Sequence, residues 1–110
     1  MANASRVLDA LGDPTRRSIF ERLEEGPRSV GELHRGMSVS RPAVSQHLRV
    51  LKDAGLVTFR GVGNRRFYEA NRAGLDALRS YLDRFWECTL VTFKEAAEKA
   101  AIEERKAKKK

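Results

Sequence analysis

Between Ser40 and Lys52 the chain carries Arg41, Pro42, Ser45, Gln46 and Arg49 without a single acid. Val44, Leu48 and Leu51 recur at steps of 4 and 3, the period of a helix with one buried face, which leaves those five residues on the other face. Their chemistry suits the edges of nucleic-acid bases: a guanidinium forks onto guanine, a carboxamide onto adenine, and a serine hydroxyl donates or accepts while allowing close approach. Ser40 is the expected N-cap and Pro42 lies in the first turn, where free backbone amides can take a phosphate. Further on, Arg60, Asn64, Arg65 and Arg66 make a cationic tip suited to phosphates or to a narrow minor groove.

Other chemistries lack their constellations, so no catalytic residue is expected. Ser45 and His47 stand two apart on a helix, a spacing that points them away from each other, so no nucleophile has a positioned base. Glycine-rich phosphate loops and paired-histidine metal motifs do not occur. His34 and His47 are each alone, short of a three- or four-ligand site, and His47 is expected to hydrogen-bond locally in the domain or near DNA. Cys88, the single cysteine, cannot close an intrachain disulfide and lies among Phe85, Trp86, Leu90 and Val91, so it reads as an inert thiol buried at an interface.

Charge is segregated rather than mixed. The net charge of +7 over 110 residues resolves into +6 on residues 28–72 and +5 on residues 105–110, against −1 on residues 1–27 and −3 on residues 73–104. A localised basic block is the footprint of a face for double-stranded DNA. Anionic membrane is the competing polyanion, but the block lacks a basic amphipathic helix with bulky apolar anchors, and no apolar run is long enough to span a bilayer. No signal-peptide core follows Met1, so a reducing cytoplasm is the expected compartment.

The elements that must position these groups are well punctuated. Val7, Leu8 and Leu11 stripe a first helix that stops at Gly12, and Asp13-Pro14 opens a second whose core face is Ile19, Phe20 and Leu23. Ser29-Val30-Gly31-Glu32 has capping-box spacing and starts a short third helix ending at Gly36. The turn Met37-Ser38-Val39 leads into the fourth, which Gly55 closes. Leu56–Arg60 and Arg65–Glu69 then read as strands joined by Gly61-Val62-Gly63-Asn64. From the cap Asn71 a helical period runs to about Glu104 through Leu75, Leu78, Leu82, Phe85, Thr89, Phe93, Ala96 and Ala100. Some thirty residues would extend about 45 Å, longer than so small a domain is wide, so part of this stripe needs a second molecule. Residues 1–104 are thus expected to form one domain, with Arg105–Lys110 a disordered basic tail that could add a phosphate contact.

The runs Leu11-Gly12-Asp13-Pro14-Thr15-Arg16-Arg17, Ser40-Arg41-Pro42-Ala43-Val44-Ser45-Gln46-His47-Leu48-Arg49-Val50-Leu51 and Ala54-Gly55-Leu56-Val57 resemble the ArsR-type bacterial winged-helix repressors. The resemblance covers about residues 5–95. It implies a mainly α winged helix-turn-helix with a small β-hairpin, forming a homodimer through its first and last helices. Val7, Leu8 and Leu11 together with Leu82, Phe85, Thr89 and Phe93 would supply that dimer interface. Two recognition helices would then meet successive major grooves of a pseudopalindromic operator, with repression extending to the protein's own promoter. Metal-sensing relatives place Cys-x-Cys in the third helix or Asp and His pairs on the last; here Ser29–His34 has no cysteine and the last helix no histidine. The chain resembles the metal-independent branch, and neither metal nor cofactor is expected. A non-specific architectural DNA binder and a ligand- or redox-responsive repressor are the alternatives, the first separable by its indifference to sequence.

Overall fold

In the computed structural model, which describes residues 2–108, the order is α1 (Ala4–Gly12), α2 (Pro14–Leu23), α3 (Val30–His34), α4 (Arg41–Asp53), β1 (Val57–Val62), β2 (Arg65–Ala70) and α5 (Arg72–Lys108). Local chemistry sets most of these boundaries. Asn3 Oδ1 accepts from the Arg6 amide, Asp13 Oδ1 from Thr15 and Arg16, and Ser40 Oγ from Ala43, so each helix start has a side chain on its free amides. Gly36 and Gly55 adopt φ of +79° and +78°, the left-handed conformation that ends a helix at little cost when no Cβ is present. The five residues of α3 are too few for an independent helix. They are held by the Ser29–Glu32 capping box, by buried Leu33, and by Arg22, whose Nη1 donates to the carbonyls of Leu33 at 2.7 Å and Arg35 at 2.9 Å.

The chain divides into two compact units after Arg79. The first has a continuous core in which Ile19, Phe20 and Leu23 of α2 meet Val44, Leu48 and Leu51 of α4, Leu33, Leu56 and Val57. The hairpin pairs antiparallel with Val57 opposite Ala70 and Val62 opposite Arg65. A two-residue turn, Gly63-Asn64, joins the strands, and Gly63 has the positive φ (+62°) that the first central position of a type II′ turn requires. Arg28 adds a bridge to the outer edge of β2, exchanging both backbone hydrogen bonds with Tyr68 at 2.9 and 2.8 Å. The second unit is the helix from Ser80 onward, whose described side chains are exposed. Among the described residues no helix is long and apolar enough to cross a membrane.

Four expectations need correction. Val7 is wholly buried and Ala10 shares its inward face, while Leu8 is exposed and Leu11 only partly covered, so Val7 belongs to the core of its own chain and offers no free surface. The hairpin loop is shorter than expected because Gly61 and Val62 extend β1 and pair with Arg66 and Arg65. The last helix does not stop at Glu104 but continues through Lys108; arginine, lysine and alanine are strong helix formers, and cations complement the dipole at a helix C-terminus. Lys109 and Lys110 lie outside the described residues. His47 makes no local hydrogen bond through Nδ1, which is buried without a partner. Cys88 is exposed on its own chain, on the same helix as the apolar residues expected at the interface.

Candidate nucleic-acid interface

The fourth helix presents its core residues and its chemistry on opposite sides. Val44, Leu48 and Leu51 are fully buried, and that commitment holds Arg41, Pro42, Ser45, Gln46 and Arg49 outward, all exposed. Ser40, the cap that starts the helix, is exposed as well. The surface expected from spacing is therefore present, free of acid from Ser40 to Lys52, with exposed Asp53 at its C-terminal limit.

The hairpin divides its cations between two sides, because successive strand residues alternate faces. Arg66 stands opposite Gly61 and on the same side as the pair Phe59 and Tyr68, whereas Arg60 opposite Phe67 and Arg65 opposite Val62 occupy the other. On the first side Phe59 is an aromatic platform: the Lys52 ammonium lies 4.7 Å and the Arg66 guanidinium 4.8 Å from its centroid, and Tyr68 packs beside it at 5.6 Å. These stacks hold two cations in place at little further entropic cost on binding. A groove of about 240 Å³ results, lined by Ser45, Arg49 and Lys52 of α4 and by Phe59, Arg66 and Tyr68 of the hairpin. Helix and wing thus meet in a basic channel with an apolar floor. On the other side Arg65 stacks on Phe67 at 5.4 Å, while Arg60 is exposed.

Lys52 is a member of this surface that sequence reasoning passed over, although its position three residues beyond Arg49 places it on the same helical strip. Phe59 and Tyr68 carried no chemical signal of their own; only their strand register brings them under the cations. Gln46 and Pro42 are exposed on α4 but do not line the groove, and Asn64 sits at the hairpin turn.

Two carboxylates near this region titrate low for local reasons. The Ser29 backbone amide, and next its hydroxyl, hold the Glu32 carboxyl below the ordinary carboxylate range, with Arg28 and Arg65 adding smaller attractions. Asp13 is lowered chiefly by the Arg16 amide, then by that of Thr15 against some loss of hydration, with His47 contributing charge. Both act as ionised helix caps, not as proton donors.

Residues 11–59 match a family profile described as a helix-turn-helix domain. The chain is 57% identical over 88 residues to the HTH-type transcriptional regulator Rv2034 of Mycobacterium tuberculosis, covering 80% of this chain and 82% of that one. It is 35% identical over 79 residues to the arsenical resistance operon repressor of Staphylococcus xylosus, covering 72% and 76% of the two chains. Among solved structures it is similar to the homodimeric winged helix-turn-helix DNA-binding domain Mb0332 of Mycobacterium bovis, described as a possible ArsR-family regulator. The TM-score is 0.59 at 30% identity, with 86% of this chain and 81% of that one covered. With five helices and an antiparallel wing, and with these relatives, the chain belongs to the ArsR-type winged helix-turn-helix transcriptional repressors, a DNA-binding and non-enzymatic class.

Proposed function

We propose that this protein represses transcription as a homodimer that reads a pseudopalindromic operator, inserting α4 of each protomer into successive major grooves. The observation that carries the reading is the exposed face of α4, free of acid from Arg41 to Lys52, that bears Arg41, Ser45, Gln46 and Arg49 beside the stacked cations Lys52 and Arg66. In this assignment Gln46 and Arg49 read base edges, Ser45 permits close approach, and Ser40, Arg41 and Pro42 seat the helix start against the backbone. Arg60, Asn64, Arg65 and Arg66 of the wing hold phosphates.

Dimerisation is supported by the exposed Leu82, Phe85, Trp86, Leu90 and Phe93 of α5 and by the homodimeric state of the Mycobacterium bovis domain. Thr89 fits such a seam because its hydroxyl donates to the Phe85 carbonyl at 2.9 Å, which leaves its methyl group for packing. Repression without a metal is favoured by the single cysteine and by His34, whose Nε2 is spent on the Val39 carbonyl at 2.9 Å.

A mobility-shift titration with the DNA upstream of the protein's own gene tests this. Gln46→Ala and Arg49→Ala should each cost about 1–3 kcal/mol and blur sequence preference, whereas Arg66→Ala should weaken operator and random DNA alike. Equal losses on both DNAs for all three variants would point instead to an architectural binder.

A further inference from the structure

A second basic hollow, distinct from the groove between α4 and Phe59, lies where α3, the start of α4 and the hairpin turn converge. Its volume is about 220 Å³, and Ser29, Gly31, Arg41, Asn64, Arg65 and Arg66 line it. Two of its guanidiniums come from different elements and converge on one corner. Arg65 Nη2 reaches Ser29 Oγ at 3.5 Å from the hairpin. Arg41 Nη2, from the first turn of α4, lies 3.1 Å from the place where a side chain on Gly31 would begin, a point itself 4.0 Å from that same Ser29 oxygen. Gly31 thereby leaves open the space in which the Arg41 guanidinium rests.

The corner is strongly built. Ser29 is buried, and its hydroxyl also donates to Glu32 Oε1 at 3.1 Å and accepts from the Glu32 amide at 3.3 Å. One residue earlier, Arg28 ties the same segment to the hairpin through its two backbone bonds with Tyr68. Yet the cations are not paired: among the described residues no carboxylate lies within ion-pair distance of Arg41, Arg65 or Arg66. Glu32 attracts Arg65 weakly from a distance, and its Oε1 is engaged by Ser29. The two guanidiniums of Arg41 and Arg65 at one small corner repel one another, and an anion between them relieves that cost.

We propose that this hollow clamps one DNA backbone phosphate, held jointly by Arg41 of the recognition helix and Arg65 of the wing, with Ser29 and Gly31 as positioning residues. The proposal rests on the DNA-binding reading and adds to it that helix and wing share a phosphate instead of holding separate ones. The consequence is a fixed spacing between the groove that α4 enters and the strand that the wing touches.

The experiment is a fluorescence-anisotropy titration of the full chain on a labelled duplex of arbitrary sequence, about thirty base pairs long, across a potassium chloride series. Arg41→Ala and Arg65→Ala should each weaken binding about tenfold and lower the salt slope by about one; the double variant should also lower it by only about one, because a single phosphate is lost. A slope reduced by about two in the double variant means two independent phosphates and overturns the clamp, as does an unchanged slope in either single variant. Arg49→Ala on the upstream DNA separates the two readings: if it blurs preference while the clamp test fails, only the clamp falls. Were the unaltered protein to show no salt-dependent duplex binding, both would fall. Circular-dichroism melting of each variant establishes that the loss is not one of folding.

Discussion

Ser29 shows how much one side chain does at the residue scale. It caps α3, is capped in return by Glu32, and accepts a hydrogen bond from Arg65 of the wing. Because Ser29 hydrogen bonds hold the Glu32 carboxyl low, ionised Glu32 contributes stability above the carboxylate's unfolded-state pKa, and the contribution is lost as pH falls through the lower folded-state value. Glu32→Gln keeps the capping geometry but removes the titration. Melting temperatures recorded from neutral pH down into the acid range should fall less steeply for Glu32→Gln than for the unaltered chain; parallel curves would show that the carboxylate is not held low.

At the scale of elements the informative place is the entry to α5. Helix propensity alone favours alanine over glycine at Gly74 by about 1 kcal/mol. Packing opposes it: a Cβ there would stand 2.8 Å from the Gly55 carbonyl oxygen and 2.9 Å from Leu56 Cδ2, and the Gly74 amide already donates to that carbonyl at 2.9 Å. The contact is with backbone in the turn that ends α4, so it cannot yield by a rotamer change. Overpacking costs about 1–3 kcal/mol, which exceeds the propensity gain. Gly74→Ala should therefore lower the denaturant midpoint, and a raised midpoint would mean that propensity wins and the close approach is not maintained.

For the whole molecule the proposed homodimer turns on what covers the apolar face of α5. Phe85 and Phe93 are 61% and 72% exposed, values that few large aromatic side chains keep in water unless a partner covers them. Phe85→Asp should shift sedimentation from dimer to monomer and weaken operator binding at least a hundredfold, since two linked half-sites bind with an effective concentration that one lacks. A dimer that persists with unchanged affinity would place the interface elsewhere than this face of α5.

The sequence by itself determined whatever depends on neighbours three or four residues apart: the Asp13, Ser29 and Ser40 caps, the glycine stops, and the buried face of α4 with the opposed Arg41, Ser45, Gln46 and Arg49. Only the tertiary structure decided the rest. The Phe59 platform under Lys52 and Arg66, the bridge from Arg28 to Tyr68, and the reach of Arg65 to Ser29 join residues 7 to 40 positions apart. Val7 and Leu8 belong to one apolar stripe by spacing, yet the first is buried and the second exposed, because the core closes on one side of α1 only. Periodicity records which residues avoid water. It does not record which of them meet each other, and that pairing turns a basic stretch of sequence into a shaped surface for DNA.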